Sequence, residues 1–175
     1  MNPTTNLKDF IKNLSSDEAF LTLQKLFFEN PDLEEIIQKT ALKVVSNVDA
    51  EEIANDLYDE LLSLDVDDLS NRSGSGRYGY VDPHEESWVM FEETIEPYIS
   101  EMRKYHQREL PHAVKEYCIG IIEGLMMFDR ANSEFLEWVS DVQEYIPYVV
   151  EEYKKMQPDI KDVAEVVKII EELEK

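Results

Sequence analysis

The feature that most constrains this chain is how regularly it is punctuated. Capping residues and prolines recur along it, and between them apolar residues return every third or fourth position. Ser15 with Glu18 and Asp49 with Glu52 each spell a capping box, as does Asp82-Pro83-His84-Glu85. In a capping box a side-chain oxygen and a carboxylate satisfy helix N–H groups that have no partner within the helix. Asn30 before Pro31, together with Pro111, Ser133 and Pro158, marks further starts, because proline at the first helical position gives up an N–H that had no partner anyway. The faces that follow are helical: Phe20, Leu23, Leu26 and Phe27; then Leu33, Ile36, Ile37, Ala41, Val44 and Val45; then Ile53, Leu57 and Leu61. Gly and Pro together number 12 in 175 residues, too few for a turn-rich β protein. The expectation is an all-α fold, an antiparallel helical bundle or short helical-hairpin stack of about seven or eight helices.

A single domain over 1–175 is expected, with hairpins over 1–64, a Gly/Arg/Tyr loop over 65–82 and further helices over 83–175. In the last part Trp88, Phe91, Ile95, Tyr98, Met102 and Tyr105 form a seam at alternating steps of three and four, with Pro97 inside it to kink the helix. That seam, or the terminal helix, could also pair two copies of the chain. The segment after Pro111 is apolar over most of its circumference and reads as a central buried helix. Gly120 and Gly124 within it open a route for a neighbouring backbone. Phe135, Trp138, Val142, Ile146, Val149 and Tyr153 read as one helix interrupted by Pro147, and Pro158 starts the last.

Charge then excludes several functions. There are 39 Asp and Glu against 17 Lys and Arg, a net charge of −22. Phosphate backbones and anionic membranes repel such a surface, so neither direct nucleic-acid binding nor membrane association is expected. At 43% hydrophobic the chain is too apolar for a disordered polyacid. Cys118 is the single cysteine, which excludes an internal disulfide and a multi-cysteine zinc cluster. The first residues lack a basic, then apolar, secretory pattern. The longest apolar stretch, 117–128, has 12 residues, including Glu123; a membrane helix needs about 20. A cytoplasmic location is expected.

Motifs for chemistry start and then fail. Gly74-Ser75-Gly76-Arg77-Tyr78-Gly79-Tyr80-Val81 matches the string of a kinase phosphate loop, but helical patterns flank it where strands are required. Asp65, Asp67 and Asp68 begin like a calcium loop, yet Leu69 and Ser70 occupy the next ligand and glycine positions. His112 and Cys118 sit six apart, about 600° of helical rotation, so they diverge. Glu109 stands three before His112, the spacing of a di-metal bundle, but Pro111 intervenes. Glu123 would need burial to act as an acid or base. No catalytic, metal-binding or cofactor-binding residue is assigned.

The stretch Asp65-Val66-Asp67-Asp68-Leu69, then Arg72-Ser73-Gly74-Ser75-Gly76-Arg77-Tyr78-Gly79-Tyr80-Val81-Asp82-Pro83, continues through Trp88, Phe91 and Glu96-Pro97. With Ala113-Val114-Lys115-Glu116-Tyr117-Cys118-Ile119-Gly120, it resembles the helical region that follows the zinc finger in prokaryotic SWIM zinc-finger proteins of uncharacterised role. The finger itself needs Cys-x-Cys and Cys-x-His, and this chain has neither. The resemblance therefore implies a stand-alone accessory helical module and supplies no activity.

A non-catalytic protein-interaction or scaffold module with a protein partner, basic in character, is the expected function. Its contact residues are expected in Arg72, Arg77, Tyr78 and Tyr80, types enriched at interfaces and, for the arginines, rare positive charge in an acidic chain. Alternatives are an acidic mimic of nucleic acid that blocks a basic partner, and a carboxylate-rich metal-dependent enzyme in a helical bundle.

Overall fold

The structure is a computed structural model that describes residues 7–76, 79–139 and 141–173, except for the side chains of Lys43 and Val45. It separates into two compact units, Met1–Val45 and Ser46–Lys175. The described residues form nine α-helices and one two-stranded hairpin, so the fold is all-α.

The first unit holds α1 (Leu7–Lys12), α2 (Ser16–Glu29), a 3-10 turn (Pro31–Leu33) and α3 (Glu34–Val45). The Ser15–Glu18 capping box forms, with both reciprocal bonds in place. Asn30 does not cap the next helix; its amide instead donates to the Leu26 carbonyl at 3.2 Å. The apolar stripes of these helices find little cover. Leu14, Ala19, Leu33 and Ile37 are half-buried, whereas Phe20 is 65% and Phe28 72% exposed. Three short helices enclose too little volume to hide side chains of this size.

The second unit contains α4 (Ala50–Leu62), α5 (Val66–Arg72), β1 (Gly74–Gly76), β2 (Gly79–Val81), α6 (Pro83–Gln107), α7 (Pro111–Asp129), α8 (Tyr145–Lys155) and α9 (Ile160–Leu173). As its pattern requires, α7 is the core, with eleven buried residues from Ala113 to Phe128. It packs against α4, α6, α8 and α9. The expected Trp88–Tyr105 seam is used within this unit. Phe91, Ile95 and Met102 are fully buried, while Trp88, Tyr98 and Tyr105 lie against the same core.

Helix directions are mixed rather than uniformly antiparallel. Phe91 meets Phe128 and Tyr105 meets Tyr117, so α6 and α7 run antiparallel. Gly120 faces Ala50 and Ile53, and Gly124 faces Ala54 and Leu57, so α4 runs parallel to α7. Lys115 pairs with Asp162 and Glu165, and Arg130 donates to the Leu173 carbonyl, which makes α9 parallel as well. A parallel α4–α7 pair needs a long return path, and α5, the hairpin and α6 provide it.

Two elements differ from the sequence expectation. Within the segment expected as a loop over 65–82, the described residues form α5 and the paired strands β1 and β2. Asp65 accepts from the Asp67 N–H at 2.7 Å to cap α5, and Leu69, 1% exposed, anchors it. Gly74 (φ 85°) and Gly79 (φ 127°) take the positive-φ positions of the hairpin, where Gly74 pairs with Val81 and Ser75 with Tyr80. Beyond α7, the single helix expected from Ser133 is instead two 3-10 turns (Glu134–Glu137 and Val142–Glu144) followed by α8. Asp141 is left-handed (φ 58°) and ends helical continuity there. Pro147 consequently falls in the first turn of α8, where its missing N–H breaks no helical bond.

Built onto Gly120, a Cβ would lie 2.7 Å from the Ile53 Cβ and 2.8 Å from the Ala50 carbonyl oxygen. Gly120→Val should therefore force α4 and α7 apart and lower unfolding stability by about 2–3 kcal/mol, read from the urea midpoint. An unchanged midpoint would show that this close approach does not hold the unit together.

Candidate partner-binding surface

Of the expected contact residues, Arg77 and Tyr78 lie outside the described residues. Arg72, at the end of α5, is engaged: its Nε donates to Glu86 at 2.6 Å and its Nη1 to Glu93 at 2.9 Å. The Glu93 contact is the main cause of its raised pKa, which desolvation opposes and the Glu86 contact reinforces. Arg72 therefore folds back onto α6, and its charge is already balanced. Tyr80, on β2, is 68% exposed.

The Arg72 anchor leads to a groove of about 370 Å³ between α6 and α8, lined by Val89, Glu92, Glu93, Glu96, Tyr145 and Tyr148. Positions 89, 92, 93 and 96 are one helical face, and 145 and 148 are one turn apart on α8. The two tyrosine rings lie 5.0 Å apart, tilted by 55°, and Tyr145 is held edge-on against buried Phe91 at 5.5 Å. Burial is the main cause of the raised Tyr145 pKa, with Glu92 next, so its phenol stays neutral.

Two of the three carboxylates are matched. Glu93 is bound by Arg72, and Glu96 accepts from Arg103 at 2.6 Å and from the Ser100 hydroxyl at 3.1 Å. Glu92 has no ion-pair partner among the described residues. The groove thus offers an apolar floor at Val89, tyrosine faces and one uncompensated carboxylate. Sequence reading missed it because its two walls are about fifty residues apart; the i, i+3, i+4, i+7 stripe on α6 was the one local signal.

Arg103 also bridges to Glu152 of α8 through two donors, at 3.1 and 2.6 Å. Glu152 is, with Ser87, one of the two buried polar residues among those described, and Lys155 followed by Arg103 holds its carboxyl below the usual range. This ion pair ties the two walls of the groove together.

The other chemistry considered from sequence does not assemble. Cys118 is fully buried, and burial pushes its thiol up to about 12. The His112 ring is exposed, 3.4 Å from Glu116, and does not face Cys118. The Glu123 carboxyl is raised by burial, then by Glu116 and Glu51, with no nucleophile or cation beside it in the described structure. His84 stacks against Trp138, with its Nδ1 3.2 Å from that residue's carbonyl. Among the described residues no three His, Cys, Asp or Glu side chains gather where they could hold an ion, which includes Glu109 and His112. A hollow of about 700 Å³ lies beside Asp129, Asp141, Glu144 and Glu151, with Ile146, Pro147, Val150 and Ile170 also in its lining. No described helix is long and apolar enough to cross a membrane. Compared with family models, curated proteins and solved structures, the chain matches none.

Because the Glu152 pKa is depressed on folding, its pairing contributes stability above about pH 4.5 and loses it as pH falls through the lower folded value. Glu152→Gln should cost about 1–3 kcal/mol at pH 7, and the gap to wild type should narrow in melts as the pH is lowered beyond 4.5. A gap that stays constant with pH would assign the loss to packing. Cys118 should resist a thiol-specific disulfide reagent at pH 8 until the protein is unfolded in denaturant; rapid labelling of folded protein would contradict its burial.

Proposed function

We propose that the chain is a non-catalytic interaction module that captures a basic protein segment on its acidic C-terminal unit, as a stand-alone relative of the SWIM-associated helical region it resembles. The tyrosine-walled groove with its uncompensated Glu92 is the observation that carries this reading. Residues 46–175 contain 32 Asp and Glu against 12 Lys and Arg, a net −20. Many of those cations are spent internally: Arg72, Arg103, Lys104, Lys115, Lys154, Lys155 and Lys168 all sit in ion pairs. What faces outward is a carboxylate surplus that steers cations from a distance. The groove then supplies the short-range contact, an aliphatic stem on Val89 and a cationic head over tyrosine faces. Arg72, one of the contact residues expected from sequence, borders the groove through its ion pair with Glu93.

The test is fluorescence anisotropy of a labelled hexalysine peptide with the full chain. Binding at 0.05 M salt should weaken at least about tenfold by 0.3 M as the charges are screened. Tyr148→Ala changes no charge and should weaken binding about 2–5-fold, while Tyr148→Phe should leave it unchanged. Absence of binding at low salt, or binding indifferent to salt, would sink the proposal. Competition by duplex DNA for a partner captured from native extract would turn the reading toward nucleic-acid mimicry.

A further inference from the structure

The N-terminal unit, taken by itself, has an unusual balance. None of its described residues is buried, yet twelve large apolar side chains of α1, α2 and α3 stand in water. They form helical stripes. Leu7, Phe10 and Ile11 share one face of α1, while Phe20, Leu23 and Phe27 recur at heptad-like steps on α2. Ile36 and Val44 lie on α3. Phe27 and Phe28, consecutive on α2, touch edge to face at 5.8 Å, and twelve exposed large apolar side chains in so short a unit are more than the scattered leucines of an ordinary surface.

We propose that this face is the interface of a homodimer, formed by the N-terminal units of two copies of the chain. The area is sufficient. Phe10, Phe20, Phe27 and Phe28 are 53%, 65%, 40% and 72% exposed. With the eight aliphatic side chains they leave on the order of 900 Å² of apolar surface in water. A stable interface takes about 800 Å² from each partner. A unit of this size with no described residue buried lacks a core of its own, and a second copy provides one.

Charge selects the second copy over a foreign partner. The unit carries five Lys against seven Asp and Glu, a net −2, in contrast to −20 for the rest of the chain. It therefore has no strong preference for a basic or an acidic ligand. It does carry both signs close together, as in the Lys25–Glu29 pair at 3.8 Å. Two-fold symmetry lets one copy's lysines meet the other's carboxylates around the apolar centre, and it covers both faces in one event. The expected pairing seams are less suited: Trp88–Tyr105 is consumed in the core of the second unit, and α9 is tied to α7 by Lys115.

Salt separates this inference from the capture of a basic partner. Dimerisation brings together two chains of −22 each, so screening should tighten it, whereas screening weakens capture. Sedimentation equilibrium of the full chain from about 1 to about 200 µM, at about 0.1 and about 0.5 M salt, reads the dimer constant with the charges weakly and strongly screened. The expected result is a monomer–dimer equilibrium that strengthens at high salt. Phe20→Glu with Phe27→Glu should weaken it at least about 30-fold, with the main melting transition of the second unit unchanged. Three outcomes would each overturn the proposal: a 20.5 kDa monomer at every concentration, a dimer indifferent to the double variant, or a dimer that dissociates as salt rises. None of them bears on hexalysine binding by the other unit.

Discussion

The close parallel contact between α4 and α7 sets the terms for the rest of the C-terminal unit. A helix with eleven buried positions leaves almost no polar surface of its own, so it must be surrounded. Gly120 and Gly124 remove the side chains that would keep α4 away, and Ala50, Ile53, Ala54 and Leu57 move into the space. With α4 drawn in on one side, α6, α8 and α9 close the others. Apart from Glu152, which Arg103 and Lys155 bind in the interior, most carboxylates of these helices then point outward, because little room for them remains near α7. Internal packing and external charge are two results of the same constraint.

That constraint was legible because it is local. A nearly all-apolar stretch between Pro111 and Asp129 with glycines four apart can be read without knowing what lies against it. The capping box at Ser15 and the Pro83 start of α6 are equally local, each a matter of a few consecutive residues. Elements that depend on a distant partner were not legible. The sequence 65–82 looks like a loop because Val66 and Leu69 are the only apolar residues of its helical part, and a seven-residue helix has too few turns to show a period. It forms because α6 receives it. Pro147 misled for a related reason: its position is harmless once Asp141 breaks the helix ahead of it, and the left-handed turn at Asp141 has no sequence marker of its own.

The candidate site shows the same limit more sharply. Arg72 stood out as rare positive charge in an acidic chain, and the structure spends that charge on Glu86 and Glu93 rather than offering it outward. The residue that is left over is its opposite in sign, Glu92, and its status depends on which neighbours Arg72 and Arg103 choose. Electrostatic residues are defined by subtraction across the folded unit, so their surplus cannot be read one position at a time. Aromatic partners are equally nonlocal: Tyr145 has a fixed ring because Phe91, more than fifty residues earlier, supports it.

The two units divide the chain's chemistry in a way that bears on how it can assemble. At −20, the C-terminal unit is protected from its own copies, since any self-contact there sets carboxylate against carboxylate. At −2, the N-terminal unit has no such protection and carries the exposed apolar stripes. Were the charge spread evenly, each face would be partly repelled and partly apolar, and neither specific capture nor specific pairing would follow. In the two proposals, association of copies falls to the near-neutral stripes and the acidic groove is reserved for cations. Ionic strength would then act on the two surfaces in opposite directions, favouring partner capture at low salt and self-pairing at high salt.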